Sequence, residues 1–291
     1  MKNQSSNHLP ELMFGILVMS SSGVLGRWID LPAPVIIWLR CVIALVPFYL
    51  FLRLTGKFNR ILSGSIGRSI ILSGVLMGAH WVTYFYALKF STVAIGMLSL
   101  FTYPLITAIL EPIFIKTKPK TRHIPLSIIA LMGLYLLVPE FSIANEQFVG
   151  ILFGILSALV YSFRNIIVKI RIGKMSGELL MFHQITIVAV MLIPIAFVFK
   201  LNWNDDLATN WIPLTILALF TTAVGHSFFV RSFRFFSVTS ISLLSNLTPL
   251  FGILLGWIFL SEFPQGNVLL GGVLILATTL IEIVISRKEE T

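Results

Sequence analysis

Cysteine is almost absent: Cys41 is the only one in 291 residues. A lone cysteine excludes an intrachain disulfide and any metal site built from several thiolates. Its place inside an apolar run marks it as a small buried residue. Charge is scarce as well. Only 11% of residues are charged against 57% hydrophobic, and mean hydropathy is +0.94, whereas soluble domains carry about 25% charged residues. The solvent of this chain is therefore mostly lipid. Acid is missing from the first apolar run, with no Asp or Glu between Glu11 and Asp30. There is no HExxH, no paired carboxylate inside an apolar run and no Walker loop, and the glycines of "GILLG" have packing spacing. An intramembrane enzyme is disfavoured on these grounds, and no catalytic residue is assigned.

What is present is a series of apolar runs. A helix needs about 20 residues to cross the hydrocarbon core. Ten spans are expected, at about 12–29, 33–54, 67–88, 90–112, 123–138, 148–168, 178–199, 208–230, 235–260 and 264–285. The first is expected to be retained, because no small-residue cleavage site follows it. The net charge of +9 could suggest nucleic acid, but the basic residues sit in short clusters between apolar runs. With the N-terminus placed in the cytoplasm, 17 of 21 Lys and Arg fall on inner segments, leaving Arg27, Arg40, Lys89 and Lys200 elsewhere. That is the positive-inside pattern, with both termini cytoplasmic.

Two segments read alike. "LSLFTYPLITAILEPIFIKTKP" starts at Leu98 and "LLSNLTPLFGILLGWIFLSEFP" at Leu243; an offset of 145 puts Pro104 on Pro249, Phe114 on Phe259 and Pro119 on Pro264. Ten spans divide into halves of five, 1–145 and 146–291. Five is odd, so the second half enters from the other side. The expected fold is all-α and integral to the membrane, with ten helices as two inverted five-helix repeats, an architecture common among secondary transporters.

Candidate site residues follow from cost. Pro104 and Pro249 each leave a carbonyl free at membrane depth, tolerable only beside protein or a wet cavity, so they mark helix kinks near a substrate path or in packing. Arg40 lies about two turns into span two, where charge needs an anionic partner or carbonyls. Its counterpart is near His183 and Gln184 in span seven. His80 and Tyr84 share a helix face beside Trp81, and the offset carries Trp81 onto His226, itself four residues after Thr222. Tyr161, with Ser157 and Arg164 or Asn165, forms a similar face on span six, and Asn246 lies just before Pro249. Each of these groups can serve either a substrate or a neighbouring helix. Arg27 and Arg164 are expected to snorkel to the interface. Glu111 and Glu282 are the acids near apolar runs, both close to cytoplasmic ends. No metal site is expected, since the deep histidines lack ligand spacing.

"MGAHWVTYFYALKFSTVAIGMLSLFTYPLITAIL" resembles the third and fourth helices of the drug/metabolite transporter superfamily, EamA type. "FFSVTSISLLSNLTPLFGILLGWIFLSEFP" is similar to the matching ninth helix with its "GE"-like exit, here Ser261-Glu262. The first half departs from that pattern, with Lys116-Thr117 in place of Gly-Glu. The resemblance spans the whole chain. It implies a metabolite carrier of the inner membrane, often an exporter of amino acids or related carboxylates, working without a cofactor. A sugar-phosphate or nucleotide-sugar carrier of the same fold is the alternative. Small multidrug antiporters, distant members, use a first-helix glutamate that this sequence lacks, which disfavours cation/proton exchange by that route. Expected partners are a small-molecule substrate and the lipid bilayer, with no nucleic acid, in a monomer or weak homodimer.

Overall fold

In lipid a backbone can satisfy its polar groups only within its own segment, so apolar runs fold as helices. The computed structural model describes residues 2–58, 64–116, 121, 123–140, 142–168, 175–199, 202–226, 228–229, 244–245 and 247–289. Among the described residues there is helix and no strand. The helices are α1 (Lys2–Trp28), α2 (Ala33–Leu54), α3 (Gly64–Phe90), α4 (Val93–Leu100), α5 (Tyr103–Ile115) and α6 (His123–Leu137). They continue with α7 (Glu146–Ile167), α8 (Gly177–Met191), the short α9 (Ile195–Val198), α10 (Trp203–Ile216), α11 (Leu247–Leu260) and α12 (Gly266–Glu289). Six segments are long and apolar enough to cross a membrane, Val93–Phe114 among them as the sum of α4 and α5. Four shorter apolar helices, Ile124–Leu137, Gly177–Met191, Leu247–Leu260 and Gly266–Ile281, complete ten spans.

Local sequence sets the starts. Asn145 Oδ1 accepts the Gln147 and Phe148 N–H groups at 2.9 and 3.3 Å, and Thr92 Oγ1 accepts Ile95 N–H at 3.2 Å, relieving donors that a helix start leaves unpaired. Several spans differ from expectation: the first starts at Lys2 rather than 12, and residues 235–243 of the ninth lie outside the described residues. The fourth is not one helix but breaks at Phe101–Thr102. Pro104 cannot donate to Leu100, and the break is held by other bonds: Thr102 Oγ1 donates to Ser99 O at 2.8 Å, and Ser162 Oγ on α7 to Tyr103 O at 3.0 Å. The seventh ends at Met191, and a turn precedes Pro194 and α9. The eighth starts at Trp203 rather than 208, because Asp205 and Asp206 suit the positive end of a helix. It then widens into a π-helix over Leu217–Gly225, where the Thr221 and Thr222 hydroxyls both donate back to Leu217 O.

The packing repeats itself across the halves. Span three (α3) lies on span six (α7), and span eight (α10 with the π-helix) lies on span one. Spans four and six touch, as do nine and one; spans three and seven touch, as do eight and two. Spans two and seven, four and nine, and five and ten pair with their own counterparts. Five-and-ten contact is close: a Cβ on Gly133 would stand 2.8 Å from Gly271 O, and one on Gly271 2.6 Å from Gly133 O. Among the described residues only Lys116 and Ser261 are non-glycine with positive φ, at 60° and 55°, and they too stand 145 apart. The left-handed exit after the fourth span of each half is thus kept where Lys116 replaces the glycine of the resembled pattern.

Candidate substrate site

Arg40 is carried about 10 Å along α2 from its start at Ala33, at 1.5 Å per residue. Its side chain is 2% exposed. Nε donates to Thr222 Oγ1 at 2.5 Å, and the Thr222 hydroxyl hydrogen goes to Leu217 O at 3.1 Å. The π-helix thus turns a lone pair of Thr222 toward the guanidinium. Arg40 Cζ lies 4.4 Å over the Trp81 ring and 5.9 Å from Phe85, and Nη2 is 3.5 Å from His226 Nε2, too long for a strong bond. Trp81 and His226, counterparts in the two halves, face each other at 5.9 Å.

A second group adjoins it through α3. His80 Nδ1 is 2.8 Å from Ser157 Oγ, which itself donates to His80 O at 2.8 Å. The serine hydrogen is committed, so the imidazole carries its proton on Nδ1 and leaves Nε2 as an acceptor. The His80 ring stacks on Tyr161 at 4.3 Å and lies parallel to Tyr84 at 6.3 Å; Tyr161 meets Tyr103 edge-on at 5.0 Å.

A third group corrects an expectation. Arg164 does not snorkel outward. Its Nη2 donates to Gln184 Oε1 at 2.6 Å and its Nη1 to Asn165 Oδ1 at 3.0 Å, while Gln184 Nε2 donates to Ser73 Oγ at 3.0 Å. Its Nε is buried without a partner, and its Cζ is 5.9 Å from the Tyr161 ring. Arg27, 37% exposed at the end of α1, lies at the rim as expected, with Nε 3.1 Å from Glu262 Oε1 and Nη1 donating to Lys89 O at 2.8 Å. Glu178, not counted beforehand among acids near apolar runs, is 6% exposed on α8 and pairs with Lys57 at 3.6 Å. Among the described residues neither Arg40 nor Arg164 meets a carboxylate.

The structure therefore brings together Arg40, His80, Trp81, Tyr84, Tyr161 and His226. Pro104 lies at the break beside Tyr103. Pro249 is buried in the first turn of α11, and Asn246 lies outside the described residues. His183 is buried with its ring edge-on to Phe182 at 5.8 Å, toward the end of α8 that holds Glu178. Ser73 and Tyr103 went unremarked in the sequence. Ser73 is a lone hydroxyl in an apolar stretch, and Tyr103 adjoins a proline already singled out, so both carried a weak signal. Surface grooves of about 530 and 250 Å³, lined by Leu131, Tyr135 and apolar neighbours, offer almost no polar atoms. No cluster of three or more His, Cys, Asp or Glu able to hold a metal occurs among the described residues.

Among the described residues the buried Arg40 guanidinium therefore meets aromatic rings and a hydroxyl but no carboxylate. Comparisons with known proteins place the chain among transporters. Over 278 residues, 94% of this chain and 88% of the other, the sequence is 23% identical to an uncharacterized transporter of Bacillus subtilis. It is 23% identical over 250 residues, 84% of each chain, to the pseudopaline exporter of Pseudomonas aeruginosa. A similar 23% over 223 residues, 75% of this chain and 72% of the other, relates it to an S-adenosylmethionine uptake transporter of Rickettsia conorii. One crystal structure superposes with a TM-score of 0.68 at 16% identity, covering 98% of this chain and 99% of that one, which shows the shared fold. The EamA-like transporter family model matches twice, over residues 12–138 and 148–283. The chain belongs to the EamA-like transporter family, in the drug/metabolite transporter superfamily, and is a transporter rather than an enzyme.

Proposed function

We propose that this protein is a secondary transporter that exports a small carboxylate-bearing metabolite, an amino acid or a close relative, across the inner membrane. Arg40 carries the reading. A guanidinium 2% exposed and without an acid among the described residues needs an anion to complete it, and a planar carboxylate matches its fork. Trp81, Tyr84, His80, Tyr161 and His226 offer flat faces and neutral hydrogen-bonding groups for the remainder. The halves 1–145 and 146–291 rock about the axis where Trp81 faces His226, opening the site to either side in turn. Both termini lie in the cytoplasm, a placement supported by 17 of 21 basic residues. Export is supported by the family likeness to an exporter over 84% of the chain.

Purified protein in proteoliposomes, offered a panel of radiolabelled amino acids, organic acids and sugar phosphates, tests the proposal. Carboxylate flux that is lost in Arg40→Leu is the expected result. Flux of sugar phosphates alone would favour the alternative carrier class, for which the second buried guanidinium, Arg164, is the supporting observation. Flux of an amino acid indifferent to Arg40 would overturn the reading.

A further inference from the structure

The proposed carboxylate clamp uses one guanidinium, and the bundle interior holds two. Arg164 stands on α7 within a turn of the helix end, yet its fork points into the bundle. Two of its nitrogens bond amide oxygens of Gln184 and Asn165; Nε is buried and unmatched. Amides orient the fork but do not neutralise it. Among the described residues no carboxylate meets Arg164, and two acids pair with other cations: Glu178 with Lys57 at 3.6 Å and Glu262 with Arg27 at 3.1 Å. Gln184 is itself held by Ser73 at 3.0 Å, so the fork sits on a supported mount.

The two guanidiniums share one set of rings. Arg40 lies 5.9 Å from Phe85, which meets Tyr84 edge-on at 5.9 Å; Tyr84 lies parallel to His80 at 6.3 Å, His80 stacks at 4.3 Å on Tyr161, and Arg164 is 5.9 Å from that tyrosine. The result is an aromatic strip with a cationic fork at each end. We infer that the bundle interior takes an organic diacid, an elongated substrate with one anionic group held by Arg40, the other by Arg164, and its middle lying along His80 and Tyr161. This rests on the reading of Arg40 as a carboxylate clamp. Gln184 and Ser73 are positioning residues for the second clamp.

The test compares diacids with monoacids of equal length on wild-type protein in nanodiscs. Succinate, glutarate, L-glutamate and L-2-aminoadipate are set against butyrate, valerate, L-norvaline and L-norleucine, with affinity read from ligand-induced shifts in unfolding temperature. At least one diacid should bind about tenfold or more tightly than its partner, the scale of one added charge-assisted contact. Arg164→Gln should erase that preference, and Arg164→Lys should restore part of it. The wild-type series alone decides if Arg164→Gln fails to fold. No diacid preference in wild type, or a preference that survives Arg164→Gln, overturns the second clamp. If monoacid binding then still depends on Arg40, the function proposed above stands; if Arg40→Leu changes neither class, both fall.

Discussion

Replacing Arg40 with leucine separates a transport residue from an anchor, because its effects on folding and on binding differ in size. On the folding side the variant loses the bond to Thr222 and the contact over Trp81. A hydrogen bond to a charged group is worth about 1.5–3 kcal/mol, and a desolvated cation–π contact about 2. Against this, a charge at helix centre costs about 2.5–3.5 kcal/mol on insertion scales, somewhat less at a depth of roughly 10 Å. The losses exceed the gain by roughly 1–2 kcal/mol, so the unfolding temperature should fall modestly while folded protein persists. On the binding side, losing one partner of a buried charge pair costs about 2–5 kcal/mol, or roughly 30-fold to several thousand-fold in affinity at about 1.4 kcal/mol per tenfold. Arg40→Lys keeps the charge but not the fork and should fall between. The assay is flux in proteoliposomes of the carboxylate that wild type moves fastest, beside the unfolding temperature of each variant. Unchanged flux in Arg40→Leu, or flux lost only in step with folded protein, refutes the argument.

Alanine at His80, Trp81, Tyr84 or His226 should lower the same flux while monodisperse protein persists on size exclusion; parallel loss of protein would make these groups packing only. Reporters fused to the C-terminus should be active in the cytoplasm and silent in the periplasm, and the reverse would undo the proposed orientation. Gly133→Val must push α6 and α12 apart, since the added Cβ stands 2.8 Å from Gly271 O, and should cost about 1–3 kcal/mol, seen as a lower unfolding temperature. Lys116→Gly removes a side chain from a φ of 60° and should raise that temperature by the equivalent of about 1 kcal/mol.

The fold was legible because lipid allows so little else. Run length marks the spans, and Pro104 marked the broken one, though not that Thr102 and Ser162 would hold the break. The Arg40 group was partly legible, since deep charge and deep imidazole are costly wherever they occur. The Arg164 group was not. It depends on spans three, six and seven meeting, through Ser73, Arg164 and Gln184, and apolar periodicity in one sequence does not say which helices meet. The burial of Glu178 was hidden for the same reason: its partner Lys57 lies 121 residues earlier, at the end of another span. The widening at Leu217–Gly225 had its cause in plain sight, two adjacent threonines able to bond backward, but such pairs also occur in ordinary helices.

Glu262 joins three segments at one rim. Its Oε1 meets Arg27 at the end of α1, and its Oε2 accepts the Val93 N–H that opens α4 at 2.8 Å. The residue 145 earlier is Thr117, which carries no charge. The duplicated halves therefore supply unlike fastenings to the two rims of the carrier. In an alternating cycle unlike fastenings mean wells of unequal depth, so the empty protein dwells longer in one orientation. Such a bias cannot set the direction of net flow, which the solute gradients and any coupled ion fix. It does set the concentration at which each side half-saturates, so the same molecule should show different apparent affinities from its two faces.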